Sequence, residues 1–166
     1  MRKAIFSAIG AIALLAGCGN QGSSTPSAPP EPKWKGLPYR ISLDRKPYTT
    51  GTAIPIVKYT ANPDALEKRA TLVVQFDTSK DPNNPALNQM IVGPTDISGA
   101  EGALPADFMT LADKQLAQYL TAYKIKGKVK ISVALARSSL NGRAGTAEVD
   151  SKRLSDWTQT EVTVGK

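Results

Sequence analysis

The sequence predicts an α+β domain in which an antiparallel sheet of about five to seven strands carries one main helix packed on one face. Three observations support this prediction. Residues 105–123 place apolar side chains at three- and four-residue spacing, and residues 71–77 and 128–135 alternate between two faces. Clusters of Gly, Pro, Asn and Asp separate these segments and predict turns between them.

The first half of the domain contains three candidate strands. Residues 39–43 alternate apolar and polar side chains and predict the first strand. Residues 54–60 are a second candidate, which Pro55 weakens because proline cannot donate a ladder hydrogen bond. Residues 71–77 are the clearest, with Leu72, Val74 and Phe76 on one face and Val73 on the other.

Residues 77–103 are rich in Asp, Asn, Pro and Gly and are predicted to form a long loop. Loops of this length are unusual in compact domains and often functional, so this segment is a candidate ligand site. A short helix over residues 87–91 is the alternative for part of it. Alternate oxygen-bearing side chains in residues 77–83 have the spacing of a calcium loop. Pro82 replaces the usual glycine there and no closing Glu follows, so a polar turn is the better interpretation.

The main helix is predicted over residues 105–123. Pro105 suits the first turn, Asp107 favours the positive amino-terminal end, and Gly127 supplies a stop beyond the last turn. Asp113 is expected to lie away from the centre of the apolar stripe. The predicted stripe consists of Phe108, Leu111, Ala112, Leu116, Tyr119, Leu120 and Tyr123.

The carboxy-terminal third is predicted to form a hairpin and a last strand. Residues 128–135 alternate strictly, and residues 157–164 alternate Thr and Val with polar residues. Asn141 and Gly142 predict a tight turn between two strands, because both residues tolerate a positive φ. Residues 143–150 are therefore expected to return as a strand.

The amino terminus has the features of an export signal. Arg2 and Lys3 precede a short apolar run, which ends in Leu-Ala-Gly-Cys at residues 15–18. The run is shorter than the about 20 residues that a membrane span requires. Residues 1–18 resemble a bacterial lipoprotein signal peptide with its lipobox. The resemblance implies cleavage between Gly17 and Cys18 and acylation of Cys18, and a plain secretory signal is the alternative.

The lipoprotein resemblance also implies an address. A Gly at position 19, where Asp would retain a lipoprotein in the inner membrane, implies the outer membrane with the domain facing the periplasm. Acyl chains on Cys18 would attach the protein to that membrane. Residues 18–33 hold four prolines and no large apolar side chain, so we expect a disordered tether. One domain, residues 34–166, is expected to follow, and no motif in it identifies a family.

Composition excludes several kinds of chemistry. The chain has no histidine, and its only cysteine is Cys18. Catalysis by a histidine-activated nucleophile and metal ligation by histidine are therefore excluded. We expect no catalytic residue, no metal and no cofactor. The net charge of +7, or +5 without residues 1–17, is spread along the chain, and a periplasmic address argues against nucleic acid as a partner.

Two features are candidates for an interaction surface. Trp34 lies between two lysines beside the tether, and a basic cluster consists of Lys124, Lys126, Lys128 and Lys130. Acidic headgroups or peptidoglycan carboxylates would suit this cluster, and a solvated strand face is the alternative.

The expected function is that of a non-enzymatic, lipid-anchored envelope protein. It would bind a protein partner as an accessory or pilot-type component of an outer-membrane, secretion or conjugation assembly. The alternative is a lipoprotein that binds a glycan, peptide or lipid through the 77–103 loop.

Overall fold

The computed structural model describes residues 34–44, 48–51, 55–79 and 87–164. These residues belong to one compact unit, Trp34–Lys166. The strands in the described residues are β1 (Tyr39–Leu43), β2 (Tyr48–Thr49), β3 (Val57–Ala61), β4 (Arg69–Asp77), β5 (Leu87–Asp96), β6 (Glu101–Ala103), β7 (Lys128–Arg137) and β8 (Thr158–Thr163). The α-helices are α1 (Ala106–Ala122) and α2 (Thr146–Lys152), and a 3-10 turn spans Pro63–Ala65.

The strands form two sheets. The larger sheet has the order β2-β8-β7-β4-β5 and the smaller one has the order β1-β3-β6. All neighbouring pairs are antiparallel except β2 and β8, which are parallel. The prediction of a mixed α+β domain is confirmed. The prediction of a single sheet with one helix is wrong, because β1, β3 and β6 pair among themselves and a second helix is present.

The main core lies between the two sheets and α1. Strand β4 sends Leu72, Val74 and Phe76 into this core, as its alternation predicts. Val73 points to the opposite face of the sheet, where a smaller cluster packs under α2. The two central strands β4 and β7 are therefore buried on both faces over much of their length, which explains their near-continuous apolar sequences.

Helix α1 occupies the predicted segment. Phe108, Leu116 and Leu120 are buried, and Pro105 precedes the first helical residue. Two details of the predicted stripe are wrong. The outward side chains of Leu111, Tyr119 and Tyr123 are about half exposed, at 48%, 43% and 47%. Asp113 is buried, because the turn after β2 covers it and the Gly51 amide donates a hydrogen bond to its carboxylate.

A turn is present at Asn141 and Gly142, but the prediction of a hairpin is wrong. The side chain of Asn141 does accept a hydrogen bond from the Arg143 amide, as in an Asx turn. The chain then forms α2 instead of a strand. The sheet face beneath it is apolar, and α2 covers that face with Val149, which is fully buried in the smaller cluster.

The prediction of a loop over residues 77–103 is also wrong, as is the alternative of a short helix at 87–91. Residues 87–96 form β5, the last strand in the order of the larger sheet, and residues 101–103 form β6. Met90 and Val92 alternate into the core. Pro94 is accommodated because an edge strand does not need every amide as a donor. Residues 80–86 lie outside the described residues.

The other predicted strands are confirmed in position. The candidate at residues 54–60 appears as β3, displaced toward Ala61 and beginning after Pro55, and Ile54 itself lies outside the described residues. The last strand is β8, with Val162 buried.

Candidate functional site

A hollow of about 620 Å³ lies at one end of the larger sheet, where β4 ends, α1 ends and β7 begins. Its walls come from three separate parts of the chain. They are residues 77–79 at the end of β4, residues 123–126 after α1, and residues 128–130 of β7. All four lysines of the predicted basic cluster line it, and we call this feature the lysine hollow.

Alternation with buried apolar residues directs the lysines outward. Val129 is 7% exposed and packs in the main core, so the strand geometry of β7 turns Lys128 and Lys130 to the opposite face. Ile125 packs against the same core. It fixes the connection between α1 and β7, which carries Lys124 and Lys126.

The hollow keeps an excess of positive charge. Lys128 forms an ion pair with Glu161, with 3.0 Å between Nζ and Oε1, and both side chains are well exposed. Such a pair contributes about 0–1 kcal/mol and restricts Lys128 little. Within the described part of the chain, no ion pair involves Lys124, Lys126 or Lys130.

Among the described residues that line the hollow, the acidic one is Asp77. Its carboxylate accepts hydrogen bonds from the Ser79 amide at 2.9 Å and from the Ser79 hydroxyl at 3.2 Å. The local turn thus uses both carboxylate oxygens. The remaining residues of the calcium-like spacing, Asp81 and Asn83, lie outside the described residues.

Tyr123 adds an aromatic wall. Its ring makes an edge contact with Phe76 at a centroid distance of 6.1 Å, and its hydroxyl donates to the Asn88 side chain at 3.0 Å. The ring is nevertheless 47% exposed. The hollow therefore combines exposed ammonium groups with one fixed, partly open aromatic face.

Trp34 does not belong to the hollow. Its indole N–H donates to the Leu37 carbonyl at 2.8 Å, and the Arg40 guanidinium lies 4.6 Å from the ring centroid. These contacts hold Trp34 against the start of the domain, and it is absent from the residues that line the hollow. The two parts of the predicted interaction surface are thus separate features.

Asp113, which was expected to lie away from the centre of the apolar stripe of α1, is a buried carboxylate. Burial raises the pKa of its carboxyl group, and the hydrogen bond from the Gly51 amide partly opposes that shift. The signal was present in the sequence, since Asp113 lies four residues after Met109 and three before Leu116, both of which are buried. Asp113 faces the turn after β2 through the Gly51 amide, and no carboxylate among the described residues contributes to the shift of its pKa.

No group of three or more potential metal ligands converges anywhere in the residues that the structure describes. The predicted cleavage and lipidation sites, Gly17 and Cys18, lie outside those residues.

No helix among the described residues is long and apolar enough to cross a membrane. Comparison with protein-family models, with curated proteins and with solved structures gives no match to this chain.

Proposed function

We propose that this protein is a non-enzymatic, lipid-anchored envelope protein whose domain binds an acidic segment of a partner protein in the lysine hollow. Acylation of Cys18 would hold it at the outer membrane, facing the periplasm. The domain would act there as an accessory or pilot-type component of a larger assembly. The observation that carries the proposal is the convergence of four lysines on one hollow, three of them without an ion pair in the described residues.

Charge and shape both support a polypeptide partner. An exposed lysine–carboxylate contact contributes only about 0.2–1 kcal/mol, so a useful affinity requires several contacts in parallel. A segment with several acidic side chains meets this requirement, and Tyr123 offers an apolar surface beside them. Because exposed charges are screened beyond about 10 Å at 0.1 M salt, binding should weaken as the salt concentration rises.

Photo-crosslinking in intact cells tests the proposal directly. A photoreactive aromatic amino acid at position 123 leaves all four lysines in place and faces the hollow. We expect it to capture one reproducible envelope protein. The same residue at Leu66, which is also 48% exposed but lies outside the hollow, is the matched control.

Charge reversal then tests whether the lysine hollow itself contacts the captured protein. Lys126→Glu combined with Lys130→Glu should abolish capture from position 123. Lys114→Glu, on the exposed face of α1 and outside the hollow, should leave capture intact. Equal capture by all three proteins would refute the lysine hollow as the binding surface.

The anchor has its own test. Cells grown with a labelled fatty acid should incorporate label into the wild-type protein and none into Cys18→Ser. Mass spectrometry should identify acylated Cys18 as the first residue of the mature chain. A Cys18→Ser protein that still carries label would contradict the proposed anchor.

A second candidate is a lipoprotein that binds a glycan, peptide or lipid ligand at the same place. The hollow lies between the start of the 77–103 segment, through which this candidate would bind its ligand, and the end of α1. Capture of peptidoglycan fragments or lipid from position 123, with no protein, would favour this candidate.

A further inference from the structure

After the last turn of α1, a lysine occupies a backbone position that usually holds glycine. The Ile125 amide donates to the Leu120 carbonyl at 2.9 Å, and the Lys124 amide donates to the Thr121 carbonyl at 2.9 Å. These two bonds form a Schellman motif, in which the residue at the position of Lys124 adopts the left-handed conformation. Lys124 has a φ of 57°. Glycine is the usual residue there, because a side chain crowds the backbone in this region.

Elsewhere the described chain uses glycine for this conformation. Lys124 is the single exception among the described residues with a positive φ. The others are Gly36, Gly51, Gly93, Gly99 and Gly127. Gly127 lies only three residues after Lys124 in the same connection.

Contacts with the described residues do not account for the lysine. The side chain of Lys124 is exposed, and it forms no ion pair with any described residue. A cation near the carboxyl end of a helix is favourable, but Lys126 supplies one two residues later without a positive φ. Lys124 does, however, line the lysine hollow.

We infer that Lys124 is a ligand-contacting residue of the hollow, kept in a strained backbone conformation because its ammonium group binds carboxylates of the acidic partner. This inference rests on the proposed function and adds a specific residue to it. The left-handed backbone turns the chain sharply between α1 and β7, and a lysine at that corner places its charge in the wall that α1 and β7 share.

Three variants separate charge from strain. Lys124→Gly removes both the charged side chain and the strain, because it also lacks Cβ. Lys124→Ala removes the charged side chain but keeps Cβ and the strain, and Lys114→Ala is the control on the exposed face of α1. Each full chain is purified in neutral detergent. Thermal unfolding is followed by circular dichroism, and binding of a fluorescein-labelled hexaglutamate peptide is measured by anisotropy at low salt.

We expect Lys124→Gly to raise the Tm by about 2–4 °C and Lys124→Ala to leave it nearly unchanged. Both should weaken peptide binding about three- to fivefold, and Lys114→Ala should not. Wild-type binding that both Lys124 variants retain in full would overturn the inference alone. An unchanged Tm in Lys124→Gly would contradict the claim that the backbone at Lys124 is strained. Absence of wild-type binding would overturn the proposed acidic ligand, and the assignment of Lys124 with it.

Discussion

Replacing Gly102 by alanine should destabilise the domain, because the space above Gly102 is occupied. Gly102 lies in β6 directly opposite Tyr59 of β3. A Cβ atom at Gly102 would stand 2.7 Å from the Tyr59 hydroxyl oxygen and 2.9 Å from Cζ of the ring. Real Cβ contacts are essentially never this short, so either the ring or the strand must move.

The ring has little freedom to move. Tyr59 is 5% exposed, its hydroxyl donates to the Ser98 carbonyl at 2.9 Å, and it accepts from the Ser98 amide at 3.1 Å. Its ring also makes an edge contact with Tyr39 at a centroid distance of 6.0 Å. Overpacking costs about 1–3 kcal/mol and each lost hydrogen bond about 1 kcal/mol. We therefore expect Gly102→Ala to lower the free energy of unfolding by about 2 kcal/mol.

Urea unfolding followed by circular dichroism measures this loss. The matched control is Gly142→Ala, where an added Cβ meets nothing within 4 Å and φ is not positive, so the change should stay within about 0.5 kcal/mol. Adding Tyr59→Phe should make Gly102→Ala less costly, because the nearest atom is then gone. A Gly102→Ala protein as stable as the wild type would refute the reasoning.

Two further predictions concern buried polar groups. Because the folded state raises the pKa of Asp113 above its ordinary value of 3.8, the stabilisation from its protonated form is complete below pH 3.8 and is lost as the pH rises through the folded pKa. Asp113→Asn should remove this loss. In urea unfolding, the variant's free energy of unfolding relative to the wild type should therefore increase from pH 3.5 to pH 7. A difference that does not depend on pH would contradict the role of the carboxyl group. The buried Ser155 hydroxyl accepts from the Leu135 amide at 2.9 Å, so Ser155→Ala should cost about 1–3 kcal/mol in thermal unfolding. The exposed Ser139→Ala is its control, and equal stability of the two variants would count against the bond.

Local patterns were sufficient for the elements that bury one clear face. In α1, apolar residues recur at three- and four-residue spacing from Phe108 to Leu120. In β7, inward and outward side chains alternate over the first eight residues. In such segments a helix or strand is the conformation that buries the apolar side chains together. The lysine cluster was visible for the same reason, since alternation about Val129 places Lys128 and Lys130 on one face.

Segments whose conformation depends on distant neighbours were predicted wrongly. β5 contains Gly93 and Pro94, which read locally as a turn, and only its position at the edge of the sheet makes a strand possible. α2 has seven residues, too few for a helix to be stable alone. It forms because Val149 covers the apolar sheet face around Val73 and Ala136.

By itself, the sequence determined the fold class of the domain, its main helix, most of its strands and the spacing of its basic residues. These properties follow from periodicity along the chain, which short-range sterics and burial of one face convert into local structure. Only the tertiary structure decided that the strands divide into two sheets, that Trp34 stands apart from the lysines, and that Lys124 occupies a strained corner of a hollow. The walls of that hollow come from segments about fifty residues apart, and their meeting depends on the pairing of β4 with β7, which no local pattern encodes.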